Sequence, residues 1–120
     1  MAQRLLAHAV AQALSARLGL VELCRTPAHD AYWSAMDWPA GMHLSDQGDG
    51  DLGERLARVC ERVTQAGETV LLMGTDCPAL DAERLRAIAN EMADHDAVLV
   101  PATDGGYTAL AVHRFDASLF

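Results

Sequence analysis

An apolar run, Val70-Leu71-Leu72-Met73, stops abruptly at Gly74-Thr75-Asp76-Cys77-Pro78, and this transition restricts the chain more than any other stretch. The run is short, has no polar alternation and is followed by a helical pattern, which is how a parallel strand buried on both faces of an α/β sheet reads. Asp76 then stands at that strand's carboxyl end. In open α/β sheets ligands bind outside the carboxyl ends of the strands, so a carboxylate placed there is a candidate for contact with a metal or a ligand. Pro78 bars immediate helix continuation and biases Cys77 toward extended backbone, which would hold the Asp76 carboxylate out over the sheet edge. The competing role for Asp76 is to cap the next helix. Asp81 is better placed for that, because Leu80 before it and Leu85 after it have the spacing of a hydrophobic staple.

Length and charge bound the rest. With 120 residues the chain makes one domain, large enough for a real core but short for a complete nucleotide-handling α/β enzyme. It is 51% hydrophobic, yet its unbroken apolar stretches are far too short to cross a bilayer, so a soluble protein without a membrane partner is expected. A net charge of −8, from 9 Lys and Arg against 17 Asp and Glu, excludes a non-specific phosphate-backbone binder, and no nucleic-acid partner is expected. An anionic ligand would need a metal ion or backbone donors. Cys24, Cys60 and Cys77 form an odd set without metal-like spacing in a chain with no secretory signal, which fits a reduced, cytoplasmic location. Cys77 lies beside the candidate site, but no partner marks it as a nucleophile, and it reads as a small buried thiol.

The order of elements follows from periodicity. Residues 2–18 form a mostly apolar helix through Leu5, Leu6, Ala9, Val10, Ala13, Leu14 and Ala16, stopped by Gly19. Leu20 to Cys24 is a strand, and His29 to Met36 a short helix carrying Tyr32 and Trp33 that ends at Trp38-Pro39-Ala40-Gly41. Met42 to Leu44 is a brief strand. From Asp51 to about Ala66 an amphipathic helix places Leu52, Leu56, Val59, Cys60 and Val63 on one face, opened by an Asp51/Glu54 capping box and closed by Gly67. A strand over 69–74, a helix from Ala82 to about Ala93 and a strand from Ala97 to Val100 continue in β-α-β order. Residues 106–113 make one more strand.

Three loops follow short strands and, in a parallel sheet, would open on one edge. The first, Ser45 to Gly53, matches Gly-x-Gly-x-x-Gly at Gly48, Gly50 and Gly53. A dinucleotide reading fails because Asp49 and Asp51 stand where a pyrophosphate needs bare backbone donors. The glycines suit close approach to a flat neutral group such as a nucleobase, with Gln47 as donor and acceptor, although a plain surface turn explains them equally well. The second loop centres on Asp76. The third is Pro101 to Tyr107, where Asp104 is either a turn residue or the partner of Asp76, Gly105 and Gly106 leave room for a ligand, and Tyr107 packs or contacts it. Magnesium is commonly held by one or two carboxylates plus substrate phosphates, so Asp76 and Asp104 suffice for a nucleotide–metal site. His8, His29, His43, His95 and His113 are scattered without an i, i+4 metal pair.

Through Gln47-Gly48-Asp49-Gly50-Asp51-Leu52-Gly53-Glu54-Arg55, Gly74-Thr75-Asp76-Cys77-Pro78 and Pro101 to Tyr107, in this order and spacing, the chain resembles a family of bacterial glycosyltransferase-like proteins. That family is a domain of unknown function in the nucleotide-diphospho-sugar transferase superfamily, and the resemblance extends over most of residues 1–120. More remotely it is similar to guanylyltransferases of molybdopterin and phospholactate metabolism, in which the matching Asp-x-Pro carboxylate holds a divalent metal. The resemblance implies an α/β fold of GT-A type, three α/β/α layers around a mostly parallel sheet. It makes Asp76 the ligand of Mg²⁺ or Mn²⁺ and Asp104 a second ligand or base. Gln47, Gly50, Leu52, Gly53 and Thr75 would contact a nucleotide or nucleotide sugar, and Gly105, Gly106 and Tyr107 would line the acceptor or sugar side.

Family members usually open with a strand and a basic glycine-containing loop, then enter the helix with which this chain starts, and they continue past the region of Phe120. The sequence is therefore expected to be a partial GT-A-like domain lacking the usual first strand. Little besides Arg4, Arg55 and backbone donors would balance a triphosphate. Open sheet edges favour a homo-oligomer. The expected activity is glycosyl or nucleotidyl transfer from a metal-bound nucleotide to a small-molecule acceptor. The alternative is a non-catalytic remnant that serves as an oligomeric or weak nucleotide-binding module.

Overall fold

The structure is a computed structural model that describes residues 2–26, 33, 37–103 and 107–120. Its elements in chain order are α1 (Ala2–Ala16), β1 (Val21–Arg25), β2 (Met42–Asp46), α2 (Leu52–Gln65), β3 (Val70–Met73), α3 (Ala82–Glu91), β4 (Ala97–Pro101), β5 (Tyr107–Val112) and a 3₁₀ turn (Ala117–Leu119). The expected helix over His29 to Met36 lies outside the described residues apart from Trp33.

α1 ends two residues earlier than its apolar pattern, because Arg17 turns into the left-handed region at φ 53° while its amide bonds to the Leu14 carbonyl. β2 runs two residues further than expected. Ser45 and Asp46 are poor strand formers, but β1 pairs with them in parallel, Cys24 opposite Ser45 and Arg25 opposite Asp46. α2 starts as its sequence demands: the Asp51 carboxylate accepts from the Glu54 amide at 2.8 Å and the Glu54 side chain returns to the Asp51 amide. α3 is capped by Asp81, whose carboxylate accepts from the Arg84 amide at 2.9 Å. A second cap comes from α1, since the Gln12 side-chain oxygen accepts from the Ala82 amide at 2.8 Å. The staple forms as well, with Leu80 and Leu85 buried in the same cluster.

Among the described residues five strands form two sheets. β1 and β2 make a parallel pair, while β3, β5 and β4 lie side by side in that order. β5 is antiparallel to both neighbours, so β3 and β4 are parallel to each other across it. Ala109 to Val112 of β5 are all buried, as expected for a central strand covered on both faces. Their side chains alternate between two cores. On one face Ala109 and Ala111 meet Leu71, Met73, Val98 and Val100 under Leu85 and Ile88 of α3 and Ala16 of α1. On the other, Leu110 and Val112 meet Val70 and Leu72 under Cys60 and Val63 of α2, closed by Phe115, Leu119 and Phe120. The result is a mixed α/β fold in three layers, with α1 and α3 on one side and α2 on the other. Each fully buried Leu, such as Leu85 or Leu110, contributes about 1.5–3 kcal/mol. Among the described residues no helix is long and apolar enough to cross a membrane.

Candidate functional site

The loop after β2 is braced by two arginines of α2. The Gln47 amide extends the β1/β2 ladder by donating to the Arg25 carbonyl at 2.9 Å. Its side chain is held at both ends: Nε2 donates to the Cys24 carbonyl at 2.8 Å, and Oε1 accepts from Arg55 Nη1 at 2.7 Å. Arg58 donates to the carbonyls of Gln47 and Asp49, the latter at 2.8 Å. Asp46 folds the start of the loop by accepting from the Gly48 amide at 2.9 Å, an Asx turn.

Gly48 and Gly50 have φ of 78° and 109°, where side chains are strained. A Cβ at Gly48 would lie 2.4 Å from Arg58 Nη1, and one at Gly50 would lie 3.0 Å from Glu54 Oε2. The close approach that these glycines permit is thus made by the protein's own side chains. The Asp51 carboxylate, accepting from the Glu54 amide, stands at the start of α2 where a pyrophosphate would have to bind, which agrees with rejecting the dinucleotide reading.

The second loop leaves β3 at Gly74, whose amide donates to the Thr108 carbonyl at 2.9 Å and ties β3 to β5 one residue beyond their strand pairing. Thr75 and Asp76 follow, both exposed. Because Asp81 caps α3, Asp76 is not its cap, and among the described residues no hydrogen bond or ion pair engages the Asp76 carboxylate. Gly74 lies beneath it: a Cβ there would come within 3.3 Å of Asp76 Oδ1. The turn is fixed from behind, where His8 Nε2 of α1 lies 3.1 Å from the Pro78 carbonyl. Cys77 is partly buried against the α3 core, as a packing thiol.

In the third loop Asp104, Gly105 and Gly106 lie outside the described residues. Tyr107, which opens β5, packs on the Cys60 cluster, and burial pushes its phenol up, so its hydroxyl is a neutral donor and acceptor.

A cavity of about 870 Å³ runs between β1 and β3. Gln47, Leu52, Thr75 and Tyr107, drawn from three loops, all line it. Gly50, Gly53 and Asp76 do not line it, although Asp76 is the residue next to Thr75. Leu52 is 60% exposed in the first turn of α2, an apolar surface available to a flat ligand. Cys24 also lines the cavity, but burial pushes its thiol up, and it accepts from Ser45 Oγ while donating to Glu22 Oε2, both at 3.3 Å. Burial thus disfavours the thiolate, the nucleophilic form. Below it Arg62 grips Glu22 with two bonds, of 3.0 and 2.6 Å, and holds that carboxyl below the usual range. α2 therefore runs back along β1, from Arg55 beside Gln47 to Arg62 beside Glu22.

Among the described residues no group of three His, Cys, Asp or Glu side chains is arranged to hold a metal. The unengaged Asp76 carboxylate follows Thr75, which lines the cavity, and a lone carboxylate fits a cation whose other ligands are substrate phosphates and water. Sequence reasoning named Arg55 only as a charge for a triphosphate and did not single out Arg58 or His8. All three act through backbone or amide groups that are brought near only by the tertiary fold.

Residues 8–120 match a bacterial family described as an uncharacterized protein conserved in bacteria, DUF2064, and the chain belongs to it. A crystal structure from Desulfovibrio desulfuricans G20, of a protein provisionally designated a nucleotide-diphospho-sugar transferase, is similar at a TM-score of 0.72 and 28% sequence identity. The match takes in 98% of this chain and 52% of that one, so the chain spans about half the length of this relative. The layered architecture is of the same type, as the GT-A resemblance implied. No curated protein matches the chain.

Proposed function

We propose that the chain provides the nucleotide-binding part of a transferase that moves a glycosyl or nucleotidyl group from a metal-bound nucleotide to a small-molecule acceptor. One observation carries this reading: Gln47 with Leu52, Thr75 and Tyr107 line one cavity from three loops, and the unengaged Asp76 carboxylate follows Thr75 directly in the chain. The designation of the Desulfovibrio relative supports the transferase class. Three free cysteines suit a cytoplasmic protein.

The base would lie on Leu52, reading the remaining N–H and lone pair of the Gln47 amide, whose position is set by Cys24 and Arg55. Thr75 offers a hydroxyl toward the phosphates. Their charge needs a cation, because Arg55 and Arg58 already hold their own loop and the chain carries a net −8. Asp76 would hold Mg²⁺ or Mn²⁺, with Asp104 as second ligand or base, and the ion would neutralise charge on the leaving phosphate. Gly105, Gly106 and Tyr107 would face the sugar or acceptor. With its nearest arginines so engaged, a chain that binds a nucleotide without turning it over is the second reading.

Calorimetric titration with UDP, GDP and their sugar conjugates, with and without Mn²⁺ or Mg²⁺, tests the proposal. Binding should require the metal and weaken at least tenfold in Asp76→Ala. Binding that ignores both would remove Asp76 from its role. Release of free sugar from a bound nucleotide sugar separates the enzyme from the binding module.

A further inference from the structure

We infer that the base taken by this cavity is a dioxopyrimidine, uracil or thymine, read by Gln47 and Arg55 together; the inference rests on the nucleotide-binding role proposed for the cavity and names its ligand. The orientation of the Gln47 amide is set by what each partner can do. A carbonyl only accepts, so the atom 2.8 Å from the Cys24 oxygen is Nε2, and a guanidinium only donates, so the atom 2.7 Å from Arg55 Nη1 is Oε1. The amide cannot turn over without setting acceptor against acceptor and donor against donor. The main chain around it is held too, with the Gln47 amide donating to the Arg25 carbonyl and the Gln47 carbonyl accepting from Arg58.

Each group keeps part of its capacity. Nε2 has a second hydrogen and Oε1 a second lone pair, and among the described residues neither meets another partner. Arg55 spends Nε on the Asp51 carbonyl at 3.3 Å and one hydrogen of Nη1 on Gln47, which among the described residues leaves Nη2 unspent. Gln47 and Arg55 both line the cavity, so a ligand there meets a donor, an acceptor and a donor on consecutive groups that are bonded to each other. Leu52, one turn before Arg55 on α2, lines the same cavity and is 60% exposed. An apolar surface for the flat face of a ring thus stands beside the groups that would read its edge.

The complement of donor, acceptor, donor is acceptor, donor, acceptor, which is the O4, N3–H and O2 edge of uracil and thymine. That edge is symmetric, so either of its carbonyls can face Arg55. Guanine presents O6, N1–H and an amino group, and in either direction the amino group meets a donor. Cytosine sets its amino group against a donor and its N3 against the Gln47 oxygen. Adenine can satisfy the amide through its amino group and N1, but on that edge it offers Arg55 no acceptor. A donor that faces a donor inside a cavity loses its water as well as its bond, so the mismatched bases are rejected and not merely bound with one contact fewer. The remote resemblance to guanylyltransferases points toward guanine, and the pairing of Gln47 with Arg55 points away from it.

Calorimetry with the 120-residue protein at saturating Mn²⁺ tests this with UDP, dTDP, GDP, CDP, ADP and UDP methylated at N3. All of them carry the same diphosphate, so the metal contact cancels from their ratios and the base is what is read. UDP or dTDP should bind about tenfold or more tighter than GDP, CDP and ADP, and methylation at N3, which removes the central donor but keeps charge and ring, should weaken UDP by about tenfold or more. The tighter of UDP and dTDP tells uracil from thymine, and either result supports the inference. Arg58 braces the same loop but does not line the cavity, so it serves as the control for Arg55. The preference for UDP over CDP should fall about fivefold further in Arg55→Met than in Arg58→Met, while the requirement for Mn²⁺ persists in both. Should either variant fail to fold, the series on the unaltered protein decides by itself. Equal affinity for all the nucleotides, a preference for GDP, CDP or ADP, or an N3-methylated UDP that binds as well as UDP leaves metal-dependent nucleotide binding standing and overturns the base assignment alone. Binding of none of them overturns both.

Discussion

Replacing Gln47 by Ala asks whether the loop that approaches the proposed nucleotide is held by its amide or merely decorated by it. The side chain makes two contacts, a neutral bond of 2.8 Å to the Cys24 carbonyl and a charge-assisted bond of 2.7 Å from Arg55. A neutral bond contributes about 1 kcal/mol net and a charged one about 1.5–3 kcal/mol. Gln47 and Arg55 are both only half-buried, so water replaces part of the loss and the second bond belongs at the low end. The expected cost is about 2 kcal/mol. In urea unfolding, with a slope of about 1–3 kcal/mol per molar, this lowers the midpoint by roughly 1 M. A double-mutant cycle with Arg55→Ala should return a coupling of about 1 kcal/mol, since the two residues share one bond. Gln47→Glu keeps the acceptor for Arg55 but sets a carboxylate against the Cys24 carbonyl, and it should lose at least as much stability as Gln47→Ala. A Gln47→Ala loss below about 0.5 kcal/mol, together with zero coupling, would refute the bracing account.

Two further outcomes are expected. Asp51→Ala removes the side-chain half of the capping box at the start of α2, leaving the residue 51 amide to donate to Glu54, and should cost about 1 kcal/mol by thermal or urea unfolding, whereas Asp51→Asn, another good cap, should recover most of it. Glu22 has its carboxyl held low by the Arg62 bond, so its contribution is present above the ordinary value of about 4.5 and is lost as pH falls through the lowered folded value. Because Arg62 is half exposed, the contribution is below about 1 kcal/mol, and the stability gap between wild type and Glu22→Gln should shrink as pH falls below 4.5; a gap constant from pH 7 to pH 3 would show that the pair contributes nothing.

The parts of the fold that were legible in the sequence are those decided within a few residues. The Asp51/Glu54 box and the Asp81 cap with its Leu80/Leu85 staple depend on neighbours along the chain and form as read, and Val70–Met73 is a strand as its apolar run demands, although it pairs antiparallel with β5 and is fully buried only at Val70. What pairing decides was not legible. Ser45 and Asp46 join β2 only because β1 offers partners, and β5 enters between β3 and β4 in reverse, which no local pattern in Tyr107–Val112 announces. The candidate site divides the same way. The place of Asp76 just past β3 could be read because a strand end is a local event, whereas Arg58, 11 residues from the Gln47 carbonyl that it holds, gives no local sign of that role.

The two halves of the site differ in what the fold has already done with their side chains, and this constrains how each can work. On the β2 side Gln47, Gly48 and Asp49 are committed: two guanidinium groups and the Asp46 carboxylate fix the loop before any ligand arrives, so a ligand there meets a preset surface. On the β3 side the backbone is fixed, by Thr108 before Asp76 and by His8 after it, while the Asp76 carboxylate itself has no partner among the described residues. A preset surface selects by shape and hydrogen bonding, whereas a free carboxylate on a fixed backbone can turn its oxygens toward a cation. Under the proposed function, specificity for the base would therefore belong to the Gln47 loop and charge neutralisation to the Asp76 turn, so loosening the first should blur the choice of nucleotide while removing the second should abolish metal dependence.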